Sequence, residues 1–214
     1  MFIDAPADSC RVAPAWPRPD AETLAAFAAF PTANIGDAQD RLGLVNGTVR
    51  AQWPGARCTG AALPVLTREG DNLAIHRALD EAVPGDVLVV NALGENSRAV
   101  FGDLLAEICR TRGVRGVVLD GATRDATAIA ELGLPLWARA SSPAGPTKNG
   151  PGVIGEPVAI GGVVVSPGDI VVADADGVAV VSPQRAAELL DRLETIEHYE
   201  TGLRQRIRAE GAAA

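Results

Sequence analysis

Between residues 70 and 140, short apolar runs alternate with segments in which apolar residues recur every three or four positions. The runs VLVVNA, VRGVVLDGA and LPLWARA have the length and composition of buried strands. The segments GDNLAIHRALDEAV, FGDLLAEICRTRG and DATAIAELG have helical spacing, and LGENSRAV reads as a polar loop. This alternation predicts parallel strands joined by helices in an α/β layer.

The flanking segments have different patterns. Asp20 can cap a helix over AETLAAFAAF, and TANIGDAQDRLG predicts a second helix closed by Gly43. CTGAALPVLT predicts a strand in which Pro64 indicates an edge position or an irregularity. Further along, EPVAIGGVVVSPGDIVVADADGVAVVSP predicts short strands separated by turns.

Three segments are expected in all: a Pro-rich extended arm over 1–19, a domain over 20–182, and a C-terminal helix over 183–214. Ser182 and Pro183 suit the N-cap and first position of that helix. Its apolar residues recur every three or four positions and its other face is charged, so it is amphipathic. We expect it to pack on its own domain or on a neighbouring subunit.

Composition narrows the class of protein. The chain has 214 residues, 47% of them hydrophobic, and a formal net charge of −8, which disfavours nucleic acid as a partner. No apolar run approaches the roughly 18 residues of a membrane span, so no membrane partner is expected. The N-terminal residues lack a secretory pattern, and three scattered cysteines indicate neither disulfides nor a zinc site. A cytoplasmic location fits best.

Two familiar motifs find little support. GPGVIG at 150–155 matches G-x-G-x-x-G, but a β-like run follows it where a dinucleotide site needs a helix. Serine-type catalysis lacks G-x-S-x-G, and the chain has only two histidines, His76 and His198.

A charged group has the spacing D-x20-R-D. Asp103 lies in the first turn of a predicted helix, and Arg124 and Asp125 close the strand that follows. The start of a helix and the carboxyl end of the next strand can lie at the same edge of an α/β sheet. Two carboxylates placed there would raise each other's pKa unless a cation lay between them. Oxygen ligands favour Mg²⁺ or Mn²⁺. An Asp N-cap and a surface ion pair would explain the same residues.

Four backbone amides open the same helix. Their position suits an anionic group such as a carboxylate. They belong to Gly102, Asp103, Leu104 and Leu105.

Three blocks resemble a known family. GDNLAIHRAL, GDLLAEICRTRGVRGVVLDGATRD and PTKNGPGVIGEPVAIGGVVVSPGDIVVADADGVAVVSP are similar to the 4-hydroxy-4-methyl-2-oxoglutarate aldolases and the related regulators of ribonuclease activity A. The resemblance covers about residues 32–183. It implies an α/β fold, an αββα sandwich of the swivelling β/β/α type with a C-terminal amphipathic helix. It also implies a homo-oligomer, a trimer or a dimer of trimers, with sites between subunits.

The resemblance also implies residue roles. Asp125 would bind the metal directly and Asp103 through a metal-bound water, while Arg124 would hold substrate oxygens and stabilise negative charge. The amides at 102–105 would bind the pyruvate carboxylate. Asn72 and His76 would line the pocket. A glutamate from a neighbour's C-terminal helix would complete it, with three candidates: Glu194, Glu197 and Glu200.

The implied activity is metal-dependent cleavage of 4-hydroxy-4-methyl-2-oxoglutarate or 4-carboxy-4-hydroxy-2-oxoadipate to pyruvate and a second 2-oxo acid. Oxaloacetate decarboxylation would be a side activity. Cleavage leaves an electron pair on C3 of the substrate, and a Schiff base with a lysine is the other way to stabilise it. Lys148 is the one lysine of the chain. The alternative function is a non-catalytic regulator that binds an RNA-degrading endonuclease, and the charge of −8 would suit a basic partner segment.

Overall fold

The computed structural model describes residues 9–212. Its helices are α1 (Ala21–Ala28), α2 (Thr32–Ala38), α3 (Leu73–Glu81), α4 (Asp103–Thr111), α5 (Ala126–Leu132) and α6 (Ala186–Ala212). Its strands are β1 (Cys10–Val12), β2 (Arg50–Ala51), β3 (Cys58–Thr67), β4 (Asp86–Asn91), β5 (Ala99–Phe101), β6 (Gly116–Thr123), β7 (Leu136–Ser141), β8 (Gly152–Ile154), β9 (Val158–Ile160), β10 (Val163–Val165), β11 (Ile170–Ala173) and β12 (Val178–Val181).

Strands β3, β4, β6 and β7 form the parallel centre of the main sheet, as the sequence predicts for β4, β6 and β7. The path continues to β8 and β1 on one side and to β2 on the other. On the β8 side, β11 and β12 extend the sheet antiparallel from β3, while β9 and β10 form a separate ribbon. The central strands are nearly continuous apolar runs because both of their faces are covered.

Three apolar clusters make the predicted four-layer sandwich. Helices α3, α4 and α5 cover one face of β3, β4 and β6. The opposite face packs on the β9–β12 region. Helices α1, α2 and α6 then cover the outer face of β11 and β12, through Phe27, Ile35 and Leu189. The order of layers is therefore helix, sheet, sheet, helix, and the αββα prediction is confirmed.

Strand β3 lies inside the sheet, so the edge position suggested by Pro64 is wrong. On one side β3 pairs with β4 from Ala61 to Leu66. On the other side its partner changes from β11, up to Ala61, to β8, from Val65 onward. Pro64 falls at this change of partner, where its carbonyl accepts from Gly155 N and the missing N–H removes no ladder bond. The irregularity was predicted correctly.

Two further predictions need correction. The predicted polar loop LGENSRAV ends in strand β5, three buried residues that are too short to show a period. Helix α2 ends at Ala38 rather than beside Gly43, because Asp40 and Arg41 both adopt positive φ angles (57° and 66°) and turn the chain out of the helix.

The predicted arm over 1–19 falls partly outside the described residues. From residue 9 onward it lies along the domain, where β1 pairs with β8. Arg18 donates to the buried carboxylate of Asp86 at 2.7 and 3.0 Å and stacks on Trp16. This part of the chain is therefore fixed to the amino-terminal end of β4.

Helix α6 follows a 3-10 turn, and the Ser182 side chain does not cap it. The helix has 27 residues, a length of about 40 Å. Leu189 and Leu193 are buried, whereas Tyr199 at the middle of the helix and Ile207 near its far end are 63% and 59% exposed. In residues 9–212, no helix combines the length and apolar character needed to cross a bilayer.

Candidate active site

Strands β5 and β6 end side by side and bring the D-x20-R-D group together. Phe101 pairs with Thr123, and Arg124 N donates to Phe101 O at 3.0 Å. The same separation of 22 residues joins Phe101 to Thr123 and Asp103 to Asp125. The spacing read in the sequence is therefore the register of two parallel strands, carried two residues beyond their ends.

Asp125 has a backbone conformation that aims its carboxylate. It occupies the N-cap position of α5 with φ 57° and ψ 32°, the left-handed region that non-glycine residues rarely enter. Its Oδ2 atom lies 3.2 Å from Arg124 Nε and 3.5 Å from Asp103 N. Strain of this kind costs free energy and recurs at functional sites.

Gly102 leaves the space that this arrangement needs. A Cβ atom there would lie 2.7 Å from Asp125 Oδ2 and 3.2 Å from Arg124 Nε. The φ angle of Gly102 is −155°, which any residue can adopt, so the contact and not the backbone requires glycine. Gly102 therefore matters because it has no side chain to displace Asp125 and Arg124.

The predicted amide site at the start of α4 is partly engaged by the chain itself. Leu104 N donates to Asp103 Oδ1 at 2.8 Å, and Asp103 N faces Asp125 at the longer distance given above. Leu105 is buried, while the Leu104 side chain is 68% exposed. An anionic ligand at Leu104 N would have to displace the Asp103 carboxylate.

The donor set fits a hydrated hard cation. Asp103 and Asp125 offer carboxylate oxygens close to the ends of β5 and β6, where Asp125 Oδ2 lies 3.5 Å from Asp103 N. Across residues 9–212 no cluster of three or more His, Cys, Asp or Glu side chains could hold a metal. Mg²⁺ commonly takes one or two carboxylates and keeps several waters or substrate oxygens. The site could thus hold such an ion with a substrate, and it does not resemble an all-protein cage.

Asn72 and His76 lie at the start of α3 and are 5% and 8% exposed. Burial lowers the pKa of His76 to about 4, and the charge of Lys148 acts in the same direction, so the imidazole is neutral at pH 7. Asn72 Oδ1 is buried without a hydrogen-bond partner. Within residues 9–212 no hydrogen bond or ion pair joins either side chain to the D-x20-R-D group.

Sequence reasoning missed the segment that connects these two parts, the β7–β8 loop (residues 142–151). Ser142 N donates to Thr123 O at 2.9 Å, and Ala99 N donates to Ala144 O at 2.8 Å. A Cβ at Gly145 would lie 3.1 Å from Arg124 Nη1. The loop is rich in Gly and Pro, and that composition alone does not say which side chain it contacts.

The remaining predicted residues lie on α6. Glu200 accepts from Arg204 at 2.7 Å and from Asn34 at 3.4 Å within its own chain. Glu194 and Glu197 are exposed. None of the three contacts the D-x20-R-D group of the same chain.

A large cleft lies elsewhere. It measures about 1030 Å³ and is lined at the amino-terminal ends of β3, β4, β6 and β7, with Arg57, Arg110 and Arg115 among its residues. None of the predicted site residues lines it. The candidate site is therefore identified by the charged side chains of the D-x20-R-D group and not by the size of a cavity.

Comparison with known proteins identifies the family of this chain. Residues 32–180 match the family model described as RraA-like, Aldolase/RraA. A Halalkalibacterium halodurans protein named "Putative 4-hydroxy-4-methyl-2-oxoglutarate aldolase" is 39% identical over 166 residues, which are 78% of this chain and 79% of that protein. A protein of the same name from Ectopseudomonas mendocina is 35% identical over 155 residues, 72% of this chain and 95% of that protein.

The fold has a solved counterpart in RraAS2 of Streptomyces coelicolor, described as an unusual member of the RNase ES inhibitor RraA protein family. The two structures superpose with a TM-score of 0.79 at 34% identity, covering 88% of this chain and all of the other. The family match spans both strands that carry the D-x20-R-D group, and the layered sandwich is shared. This chain belongs to the RraA-like family.

Proposed function

We propose that this protein is a divalent-metal-dependent aldolase. Its substrates are 4-hydroxy-4-methyl-2-oxoglutarate or 4-carboxy-4-hydroxy-2-oxoadipate, cleaved to pyruvate and a second 2-oxo acid. The observation that carries the proposal is the meeting of Asp103, Arg124 and Asp125 at the ends of β5 and β6. The two relatives named as aldolases support the same reaction class.

The proposed reaction requires a group that stabilises the negative charge developing on the substrate. Breaking the C3–C4 bond of a 4-hydroxy-2-oxo acid turns C4 into a carbonyl as its hydroxyl loses a proton, and leaves an electron pair on C3. That pair must be delocalised onto the 2-oxo oxygen until C3 takes up a proton and pyruvate forms. Mg²⁺ or Mn²⁺, held by Asp125 and through water by Asp103, would supply the Lewis acid for that oxygen. Arg124 carries a permanent charge, so it complements an oxyanion and is a poor proton donor. Leu104 N holds Asp103 Oδ1, which leaves Oδ2 to accept a hydrogen bond from water or a substrate hydroxyl.

The Schiff-base route has weaker support. A nucleophilic lysine is usually activated by burial in an apolar pocket or by a neighbouring cation. Lys148 is exposed in the β7–β8 loop. The metal route therefore fits the described residues better, and it would also allow oxaloacetate decarboxylation as a side activity, because that reaction leaves the same electron pair.

The proposal includes assembly into a trimer or a dimer of trimers. The far part of α6 is exposed on its own chain, at Tyr199, Leu203 and Ile207. Glu194 and Glu197 are exposed too, while Glu200 has partners in its own chain. We favour Glu194 or Glu197 as the residue that reaches a neighbour's site.

A regulatory role is the second candidate, because RraAS2 belongs to a family of RNase ES inhibitors. Such a role would need binding to an RNA-degrading endonuclease and no turnover. The net charge of −8 suits a basic segment on that partner.

One experiment separates these functions. Pyruvate release from racemic 4-hydroxy-4-methyl-2-oxoglutarate is measured with Mg²⁺, with Mn²⁺ and with EDTA, for the wild type and for Asp125→Asn. Asparagine tolerates the left-handed backbone, so this variant should fold. Asp176→Asn, an exposed turn aspartate, is the control. Metal-dependent release lost only in Asp125→Asn supports the aldolase. No release by a folded wild type with either metal contradicts it and favours the regulator.

A further inference from the structure

A buried carboxylate ties the start of α3 to the β7–β8 loop. The Asp71 side chain is fully buried. Its Oδ1 accepts from Leu73 N at 3.0 Å and from Gly150 N at 3.1 Å. Its Oδ2 accepts from Thr147 Oγ1 and Asn149 N, both at 2.7 Å. One side chain thus holds three residues of a loop that has little regular structure, Thr147, Asn149 and Gly150.

Asp71 is held in its ionised form. Burial alone would raise the pKa of this carboxyl, but the hydrogen bonds, first that from Asn149, outweigh burial and keep the pKa below its usual value. Asparagine has the same shape, but its NH₂ group can only donate, so it cannot satisfy all four donors. Replacing Asp71 by asparagine would therefore release part of the loop while changing little else in volume.

The other end of the same loop lies beside Arg124. Ser142 is hydrogen-bonded to Thr123, the last residue of β6, and Ala144 to Ala99, the first residue of β5. Between them and the Asp71 anchor lies Gly145, whose backbone approaches the Arg124 guanidinium so closely that a methyl group would sit 3.1 Å from Nη1. The loop thus limits where the guanidinium can lie, and its position depends on both anchors.

We propose that Asp71 is a positioning residue for Arg124, acting through the β7–β8 loop. Its hydrogen bonds fix the far end of the loop, and the loop backbone at Gly145 fixes the guanidinium against Asp125. This inference rests on the proposed function, because it gives Arg124 a part in turnover. Asp71 itself does not need to contact the substrate.

The test compares two buried aspartates at opposite ends of the parallel strands: Asp71 follows the carboxyl-terminal end of β3, and Asp86 lies at the amino-terminal end of β4. Asp71→Asn should lower kcat for pyruvate release by about tenfold to a hundredfold, since small misplacement of a catalytic group has effects of that size. The KM for Mn²⁺ should stay near the wild-type value. Asp86→Asn is the matched control: Asp86 is also fully buried, and it binds Arg18 and Val83 N at the amino-terminal end of β4. It should lower the Tm and leave kcat per folded subunit within about twofold.

Gly145→Ala keeps the inference testable if Asp71→Asn does not fold. Gly145 is exposed and has no positive φ, so alanine is tolerated by the backbone. The added methyl should displace the guanidinium and lower kcat several-fold without changing the Tm. Wild-type kcat in a folded Asp71→Asn variant, or in Gly145→Ala, would overturn the inference.

A wild type that releases no pyruvate refutes the proposed function, and a second readout then decides the inference. Hydrogen exchange in peptides covering residues 142–151 should be at least about tenfold faster in Asp71→Asn than in the wild type, because the loop amides lose their acceptor. Exchange in peptides of α4 should not change. Unchanged exchange in the loop would show that Asp71 does not hold it, and would overturn the inference as well.

Discussion

The side chains of Arg124 and Asp125 point the same way although the residues are adjacent, with Nε 3.2 Å from Oδ2. Neighbouring residues of a strand normally point to opposite faces. The left-handed backbone of Asp125 turns its carboxylate back beside the guanidinium. A cation and an anion therefore face the same space at the end of β6, as the proposed binding of a metal ion and of an oxyanion would require.

Replacement of Arg124 by alanine should lower kcat by about 10²–10³, the loss expected when one preorganised charge-stabilising group is removed. The fold should stay intact, because the Arg124 side chain is 41% exposed. Steady-state kinetics and a thermal melt measure the two effects. Arg112→Ala is the control, since Arg112 is 37% exposed, pairs with Asp80, and lies at the other end of α4. Near-wild-type turnover in Arg124→Ala would remove this residue from the mechanism.

Alanine at Gly102 should reduce metal-dependent turnover by about tenfold or more, because the added Cβ pushes Asp125 Oδ2 out of place. Its effect on the Tm should be small, since the backbone there is extended. Gly47→Ala makes no close contact and has no positive φ, so it should behave as the wild type. Equal activity of the two variants would mean that Asp125 can move without cost. Titration of Mg²⁺ or Mn²⁺ into Gly102→Ala by calorimetry would show whether the loss of turnover comes from weaker metal binding.

Stability should depend on His76 between pH 6.5 and about 4. The unfolded imidazole binds a proton near 6.5, whereas burial lowers the pKa of the folded one to about 4, so the unfolded state holds more protons between these values. The contribution of His76 is therefore complete above pH 6.5 and is lost as the pH falls towards 4. Unfolding free energies across this window should show a shallower slope in His76→Gln. His198→Gln, at an exposed position, should keep the wild-type slope.

The two halves of α6 should respond differently to truncation of their apolar residues. Leu193→Ala should lower the free energy of unfolding by about 2–5 kcal/mol, as for other fully buried leucines. Ile207→Ala should change it by less than about 0.5 kcal/mol within one subunit. If the far part of α6 packs on a neighbour, Ile207→Ala should instead weaken assembly, measured by sedimentation. A monomeric wild type at all concentrations would exclude that packing.

Periodic segments were predictable and short ones were not. Helices α3 and α4 follow from their apolar periods and strands β4, β6 and β7 from their apolar runs, because each segment is long enough to show its pattern. Strands β5 and β8 have three residues each, and their pairing depends on where distant strands end. The early end of α2 depends on left-handed residues, Asp40 and Arg41, that no propensity favours.

The candidate site was predicted in part for the same reason. The spacing of Asp103 and Asp125 suggested a shared sheet edge, and the resemblance to known aldolases supplied the roles. What could not be inferred was the contact partner of an irregular segment. Gly145 and Asp71 carry no periodic signal, and their importance depends on a loop whose path is set by tertiary hydrogen bonds.

The register of β5 against β6 also tells how the motif can drift during evolution. Residues 112–115 connect α4 to β6 at the ends of the strands that lie away from the site. The length of this turn does not affect the pairing of Phe101 with Thr123. An insertion in that turn would lengthen the interval between Asp103 and Asp125 in sequence and leave the two carboxylates beside each other in space. Relatives with the same chemistry can therefore escape a search for a fixed 20-residue gap, and strand pairing is the better criterion for finding them.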